Sequence, residues 1–327
     1  MKILLIMPDF FDYPQVISKE LEDMGYEVDF FDDRPSTNTW IKAAIRINRN
    51  IVKECIKKYF ANVMQSIKNK RYDIVFLISG QSLSFDADMI AEIRKSQPGS
   101  KFVLYQWDSM RNFPYIRVMH KFFDKCYSFD REDCEQNPKL SFMPLFYSRI
   151  YEEIGNVKKS EYVYDFCFVG TAHPQKYKFV SMMSDQLKEV YPNQFIYYFF
   201  PSPIVYFYRK IRDPELRNSH FKEFHYVPIN GEEMNQLFLN SRCILDSPQA
   251  GQSGLTIRVL EALGAKKKLI TTNKDIKNYD FYKEENIYIY DGNIDLDHVF
   301  FKKTYVELER DIYENYSLRR WLERIMS

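Results

Sequence analysis

Short runs of consecutive apolar residues recur along this chain, with longer stretches of helical period between them. The runs at 3–7, 28–31, 74–78, 102–105 and 126–129, with 140–146 as a sixth, mostly lack polar alternation. A strand of that kind is covered on both faces, as in a parallel sheet wrapped by crossover helices. Helical patterns follow Tyr13, cover about 40–68 and return over 86–95. The pattern then restarts. Runs at 164–169, 195–200, 224–227, 243–246, 269–272 and 287–290 alternate with helical stretches through Lys188, over 232–239 and over 256–263, and 315–326 reads as an amphipathic helix.

At 327 residues the chain is too long for one typical core. The expected architecture is α/β, with two Rossmann-like doubly wound domains facing a cleft. The first domain is placed at 1–148 and the second at 164–312, with a terminal helix at 313–327. A linker is expected at 149–163, because 148–161 is charged and lacks periodicity. Ligands in such sheets bind at the carboxyl ends of the strands.

A net charge of +1 gives the whole molecule no bias toward nucleic acid. The five cysteines are scattered without a CxxC pair, which suits thiols in a reducing cytoplasm. The apolar start at 1–7 stops at Pro8-Asp9, too short for a signal peptide core, and no run approaches the ~18 residues of a membrane span. Aromatic residues, at 17%, are abundant enough to fill cores and also to line a surface suited to sugars or a membrane interface. No GxGxxG follows the first strand and no GxxxxGK[ST] occurs, so dinucleotide and P-loop chemistry are poor fits.

The most informative stretch is 246–264, Asp-Ser-Pro-Gln-Ala-Gly-Gln-Ser-Gly-Leu-Thr-Ile-Arg-Val-Leu-Glu-Ala-Leu-Gly. A strand ends at Asp246, a small polar loop containing Ser253 and Gly254 follows, and a helix begins near Thr256. Loop N–H groups and a helix N-terminus form an anion site, and Thr256 can cap the helix or meet a phosphate oxygen. Arg258 falls in the first turn, where a guanidinium can clamp a phosphate, and Glu261 shares its face. The same spacing also suits an ordinary surface Arg–Glu pair. A second element is Phe-Val-Gly-Thr-Ala-His at 168–173, where Gly170 and Thr171 end a strand and His173 precedes a helix. Lys176 or Lys178 in that helix can neutralise a diphosphate.

The order of small polar loop, Arg, Glu-Ala, Gly and strand resembles the donor-binding region of GT-B glycosyltransferases. It is most similar to the spore-maturation-type and lipopolysaccharide or capsule biosynthesis transferases. That resemblance implies a nucleotide-sugar donor, Glu261 on its ribose, and the residues Gly170, Thr171, His173, Lys178, Ser253, Gly254, Thr256 and Arg258 around it. Ser253 stands where many such enzymes carry a second acidic residue, so no stereochemical outcome is implied. It also implies neither cofactor nor metal, in keeping with the absence of a strand-end Asp-x-Asp.

Glycosyl transfer needs a base for the acceptor hydroxyl. Asp108, in Tyr-Gln-Trp-Asp-Ser directly after the fourth strand, is the first candidate, with Trp107 beside it to stack on a sugar. Asp9, after the first strand, is the alternative, and Asp130 looks like a helix cap. Two further stretches, 41–71 and 203–212, mix basic and apolar residues; such segments suit an anionic membrane surface or a solvated crossover helix. The expected protein is thus a bacterial, metal-independent glycosyltransferase of the cytoplasm or the inner membrane face. Its acceptor would be a growing surface glycan or lipid-linked oligosaccharide. A sugar-nucleotide epimerase and a non-catalytic binding module are the alternatives.

Overall fold

A computed structural model describes residues 1–9, 12–35, 52–80, 83–249 and 251–327. Twelve described strands form two six-stranded sheets, and every pairing within them is parallel. The chain divides into two compact units, one of Met1–Pro144 with Leu322–Ser327 and one of Leu145–Trp321.

The first unit carries β1 (Lys2–Met7), β2 (Glu27–Asp32), β3 (Ile74–Ser79), β4 (Lys101–Gln106), β5 (Lys125–Ser128) and β6 (Leu140–Phe142). Their spatial order is β2-β1-β3-β4-β5-β6. Between them run α1 (Tyr13–Asp23), α2 (Lys53–Ile67), α3 (Ala87–Ser96) and α4 (Arg131–Gln136). Ile3 to Met7 are all buried, as the uninterrupted apolar run requires. Leu4 and Ile6 join a core with Phe60, Val63 and Ile67 of α2 and Ile90 and Ile93 of α3. The 3- and 4-residue spacing that puts Phe60, Val63 and Ile67 on one face makes α2 a crossover helix. Burial of each such side chain contributes roughly 1.5–3 kcal/mol. Asp130 caps α4 by accepting from the Asp133 N–H. The first part of the expected 40–68 helix lies outside the described residues.

The second unit carries α5 (Arg149–Asn156), β7 (Tyr164–Thr171), α6 (Pro174–Leu187), β8 (Gln194–Phe199), α7 (Pro203–Arg212), β9 (Phe224–His225), α8 (Gly231–Asn240), β10 (Ser241–Asp246), α9 (Ile257–Gly264), β11 (Lys268–Thr271) and β12 (Ile287–Ile289). Its strand order is β9-β8-β7-β10-β11-β12, the doubly wound order with β7 at the centre. Phe166 and Phe168 of β7 pack with Tyr177, Val180 and Met183 of α6 in a strongly aromatic core. No described helix is long and apolar enough to cross a membrane.

The stretch read as a linker differs. Its residues 149–156 form α5, with Tyr151 and Ile154 turned inward and charges outside. Two glycines bring it against α9: a Cβ on Gly155 would lie 2.4 Å from the Gly264 carbonyl oxygen. One on Gly264 would lie 2.5 Å from the Tyr147 ring, so neither position has room for a side chain. The last helix, α10 (Leu318–Met326), is likewise shorter than the terminal helix expected from the sequence and follows a separate short helix at Arg310–Glu314. All five cysteines are free thiols, three of them buried.

Candidate functional site

In an open parallel sheet the ligand crevice lies where the strand order reverses, outside the carboxyl ends. In the second unit that point falls between β7 and β10, which are direct neighbours. Two helices start there. His173 occupies the N-cap of α6 and Thr256 that of α9, and neither side chain caps its helix. Lys176, in the first turn of α6, reaches Asp246 at the end of β10, 3.5 Å away. The Thr256 hydroxyl donates to the other Asp246 oxygen at 2.6 Å. Asp246, itself buried, therefore holds both groups at the mouth of two uncapped helix N-termini. The adjacent loop is fixed as well. Asn273 donates to the Ser253 and Gly254 carbonyls at 2.9 and 3.4 Å, and Gly251, at φ +81°, takes a backbone conformation open to glycine.

Several expected donor-side residues sit otherwise than their spacing suggested. Lys178 is exposed on α6, and Lys176 is the lysine at the strand ends. Gly170 lies within β7 rather than in a turn, where a Cβ would meet the Phe168 ring at 3.1 Å. Thr171 ends β7 and is exposed. Burial, with Lys176 and Arg209 nearby, pushes the His173 imidazole down to about 4, so it is neutral at pH 7. Arg258 and Glu261 are brought together with each other, at 2.6 Å, and not as two open groups. The guanidinium also lies 5.3 Å from the Phe238 ring of α8. Burial and then the Glu261 carboxylate push the Tyr151 phenol of α5 upward. The Glu261 side chain is 5% exposed and that of Arg258 22%, so the arginine is the more open of the two.

The first unit reverses its strand order between β1 and β3. Asp9 follows β1, Gly80 follows β3 and Asp108 follows the adjacent β4. A Cβ on Gly80 would lie 3.3 Å from Asp108 Oδ2, so the glycine leaves room for that carboxylate. Asp108 is half-buried in a bend. The Trp107 N–H donates to the Ser79 carbonyl at 2.8 Å, and its ring meets Tyr13 edge-on at 5.4 Å. Behind this edge the buried His120 imidazole sits 2.5 Å from Gln106 Oε1 and 2.9 Å from Asn137 Nδ2. Asn137 donates to Nδ1, which leaves the Nε2–H to donate to Gln106, and burial holds the ring down to about 4.

Sequence reasoning missed the support of Asp9. Its N–H donates to Asp32 at 3.1 Å, and Arg34 donates to its carbonyl at 2.5 Å. Next to them Asp33 is fully buried, with neither carboxyl oxygen hydrogen-bonded among the described residues and Arg34 Nε 3.4 Å away. Burial pushes its carboxyl well above the usual range. The run Asp32-Asp33-Arg34 at a strand end was the available signal. Among the described residues no three His, Cys, Asp or Glu side chains gather as a metal-holding group.

No protein-family model matches the sequence, and no curated protein matches it. Solved structures do. Anabaena HepE, crystallised with UDP and glucose, is 10% identical over 100% of this chain and 98% of its own, with a TM-score of 0.59. This chain has the GT-B fold. The UDP-GlcNAc 2-epimerase of Methanocaldococcus jannaschii, in complex with UDP-GlcNAc and UDP, is 11% identical over 100% of this chain and 99% of its own, with a TM-score of 0.53. The lipopolysaccharide outer core galactosyltransferase WaaB is 14% identical over 100% of this chain and 99% of its own, with a TM-score of 0.50.

Proposed function

We propose that the protein transfers a sugar from a nucleoside diphosphate donor to a growing surface polysaccharide, of the lipopolysaccharide or capsule kind. The observation that carries this reading is the β7–β10 switch point, where two uncapped helix N-termini and Lys176 converge. Helix N-termini and a lysine favour a diphosphate, and no metal is required to neutralise it. In this reading the phosphates displace Asp246 from Lys176 and accept from Thr256 and the loop around Ser253 and Gly254. Arg258 meets the phosphate and Glu261 the ribose once their pair opens. His173, neutral, donates or accepts at the sugar or phosphate.

The Asp108 carboxylate takes the proton of the acceptor hydroxyl as that oxygen bonds to the donor C1. The C1–O bond to phosphate breaks, and its electron pair leaves with the nucleoside diphosphate. Asp9 is the alternative base. Trp107 offers a flat face to the acceptor sugar. The likeness to HepE and WaaB supports transfer, and WaaB supports a lipopolysaccharide-type acceptor.

The likeness to the epimerase supports a second reading, interconversion of a nucleotide-sugar without an acceptor. Both are tested by screening UDP-, GDP-, dTDP- and CMP-sugars for thermal stabilisation, then following the stabilising donor with and without glycan acceptors. Transfer predicts acceptor-dependent release of the nucleoside diphosphate that survives excess EDTA. Conversion of the sugar with no acceptor present would replace it by the epimerase reading, and loss in EDTA restored by Mn²⁺ would overturn metal independence.

A further inference from the structure

The exposed side of α7 is built unlike any ordinary crossover helix. Ile204, Phe207, Tyr208 and Ile211 recur at i, i+3, i+4 and i+7, the spacing of one helical face. That face points to solvent: Ile204 and Ile211 are each 81% exposed, Phe207 54% and Tyr208 58%. The core is served from the opposite side by Tyr206, which is buried and hydrogen-bonds the Ser219 carbonyl at 3.2 Å. Phe221, itself 44% exposed, stacks on Phe207 at 5.7 Å and extends the apolar stripe beyond the helix. The stripe is also held rigid. Ser202 caps the helix, and Tyr206 is wedged against Phe200 and Phe224.

The charge around the stripe is net basic. Arg212, Arg217 and Lys222 are exposed on α7 and the chain just after it, while Arg209 is spent on Asp213 and Lys210 donates to the Ser219 carbonyl. The same stretch holds three carboxylates, of which only Asp213 is paired with a cation among the described residues. Asp213 is paired with Arg209, Glu215 accepts from Gln175, and Glu223 accepts from Tyr177. Arg212 flanks the stripe and donates to the Tyr208 hydroxyl at 3.1 Å.

A rigid apolar stripe rimmed by cations fits a plane that offers hydrocarbon below and anions above. A helix of ten residues is about 15 Å long and about 10 Å wide. Its one face is far smaller than the ~800 Å² per partner of a stable protein interface. A membrane places no such minimum on the contact, because insertion and attraction to many headgroups add. We propose that α7 docks the protein on an anionic lipid surface, with Ile204, Phe207 and Ile211 entering the interface and the basic residues meeting the headgroups. This goes beyond glycosyl transfer and stands whether or not that reaction is the right one.

The 41–71 stretch was the other candidate. Residues 41–51 lie outside the described residues, and α2 spends its apolar face on the core while Lys53, Lys57 and Lys58 are exposed. It serves as the control. The full chain is sedimented with vesicles of phosphatidylglycerol and phosphatidylcholine, and with phosphatidylcholine alone, at low and high salt. The wild type should bind the anionic vesicles at least about tenfold more tightly than the neutral ones, and less in high salt. Joint Ile204→Ser, Phe207→Ser and Ile211→Ser substitution should lower that binding about tenfold or more with the circular dichroism spectrum unchanged. Ile204→Trp with Ile211→Trp should raise it, which keeps the test open if the serine variant unfolds. Lys53→Glu, Lys57→Glu and Lys58→Glu together should change it by no more than about threefold.

Absence of wild-type binding, or wild-type binding by both α7 variants, would overturn the assignment. So would equal loss in the α2 variant, or a wild-type dimer that the serine variant dissociates while vesicle binding is unaltered.

Discussion

The carboxyl edge of the first sheet is acidic: Asp32 ends β2, and Asp9, Asp33 and Asp108 follow strands, with Arg34 among them. At the carboxyl edge of the second sheet, Lys176 and the N-termini of α6 and α9 surround the carboxylate that ends β10, Asp246, with Arg258 in the first turn of α9. Both edges belong to parallel six-stranded sheets, so the backbone offers much the same crevice at each. Side-chain charge is what separates them. An acidic edge accepts protons and repels phosphate; an edge of helix N-termini and lysine does the reverse.

Three experiments sharpen or break that contrast. Asp108→Asn has the largest expected effect: a fall in kcat of about 10²–10⁴ with the nucleotide dissociation constant unchanged. If Asp9→Asn shows that loss and Asp108→Asn does not, the base moves to the first strand. If Asp108→Asn instead weakens the nucleotide, the division of labour between the edges fails. Next, Lys176→Ala should weaken nucleotide binding by about 10–100-fold, the worth of one charge-assisted contact. Arg258→Ala should weaken it too, and should also destabilise the second unit by about 1–3 kcal/mol, because Glu261 is left buried without its cation. Calorimetry with the same nucleotide reads both.

The smallest effect is on stability and pH. Folding raises the Asp33 carboxyl above its ordinary range. An acid whose pKa rises on folding contributes most below the unfolded value of ~3.9, and that contribution is lost as pH climbs through the folded value. Asp33→Asn removes the ionisable group, so its melting temperature should exceed that of the wild type by more at pH 7 than at pH 4. The opposite trend would mean that ionised Asp33 and Arg34 form a needed pair.

Much of this was legible before any coordinates. Strands such as Ile74–Ser79 announce themselves because both faces are buried, so no polar residue interrupts the run. The helix at Arg149–Asn156 did not, since it buries two residues three apart and turns its charges outward, which looks aperiodic in a short window. Loop and helix positions of the candidate site were likewise readable. Its pairings were not: Lys176 meets Asp246 across 70 positions because β7 and β10 are neighbours, and sequence spacing carries no trace of that adjacency. Similarly, the apolar residues of α7 lie on both sides of the helix. Which side faces water is decided by the Tyr206 anchor and not by the pattern.

The path of α10 has a consequence for how the protein is made. The helix begins in the second unit, yet Leu322–Ser327 belong with the first, and Leu322 and Ile325 are wholly buried. On the ribosome the first 144 residues emerge early but wait for these last few to cover their remaining apolar surface. The second unit, Leu145–Trp321, is continuous in sequence and ends six positions sooner. The half synthesised first is therefore the half finished last, and losing a handful of residues after Trp321 would damage the fold of a region nearly two hundred positions away in the chain.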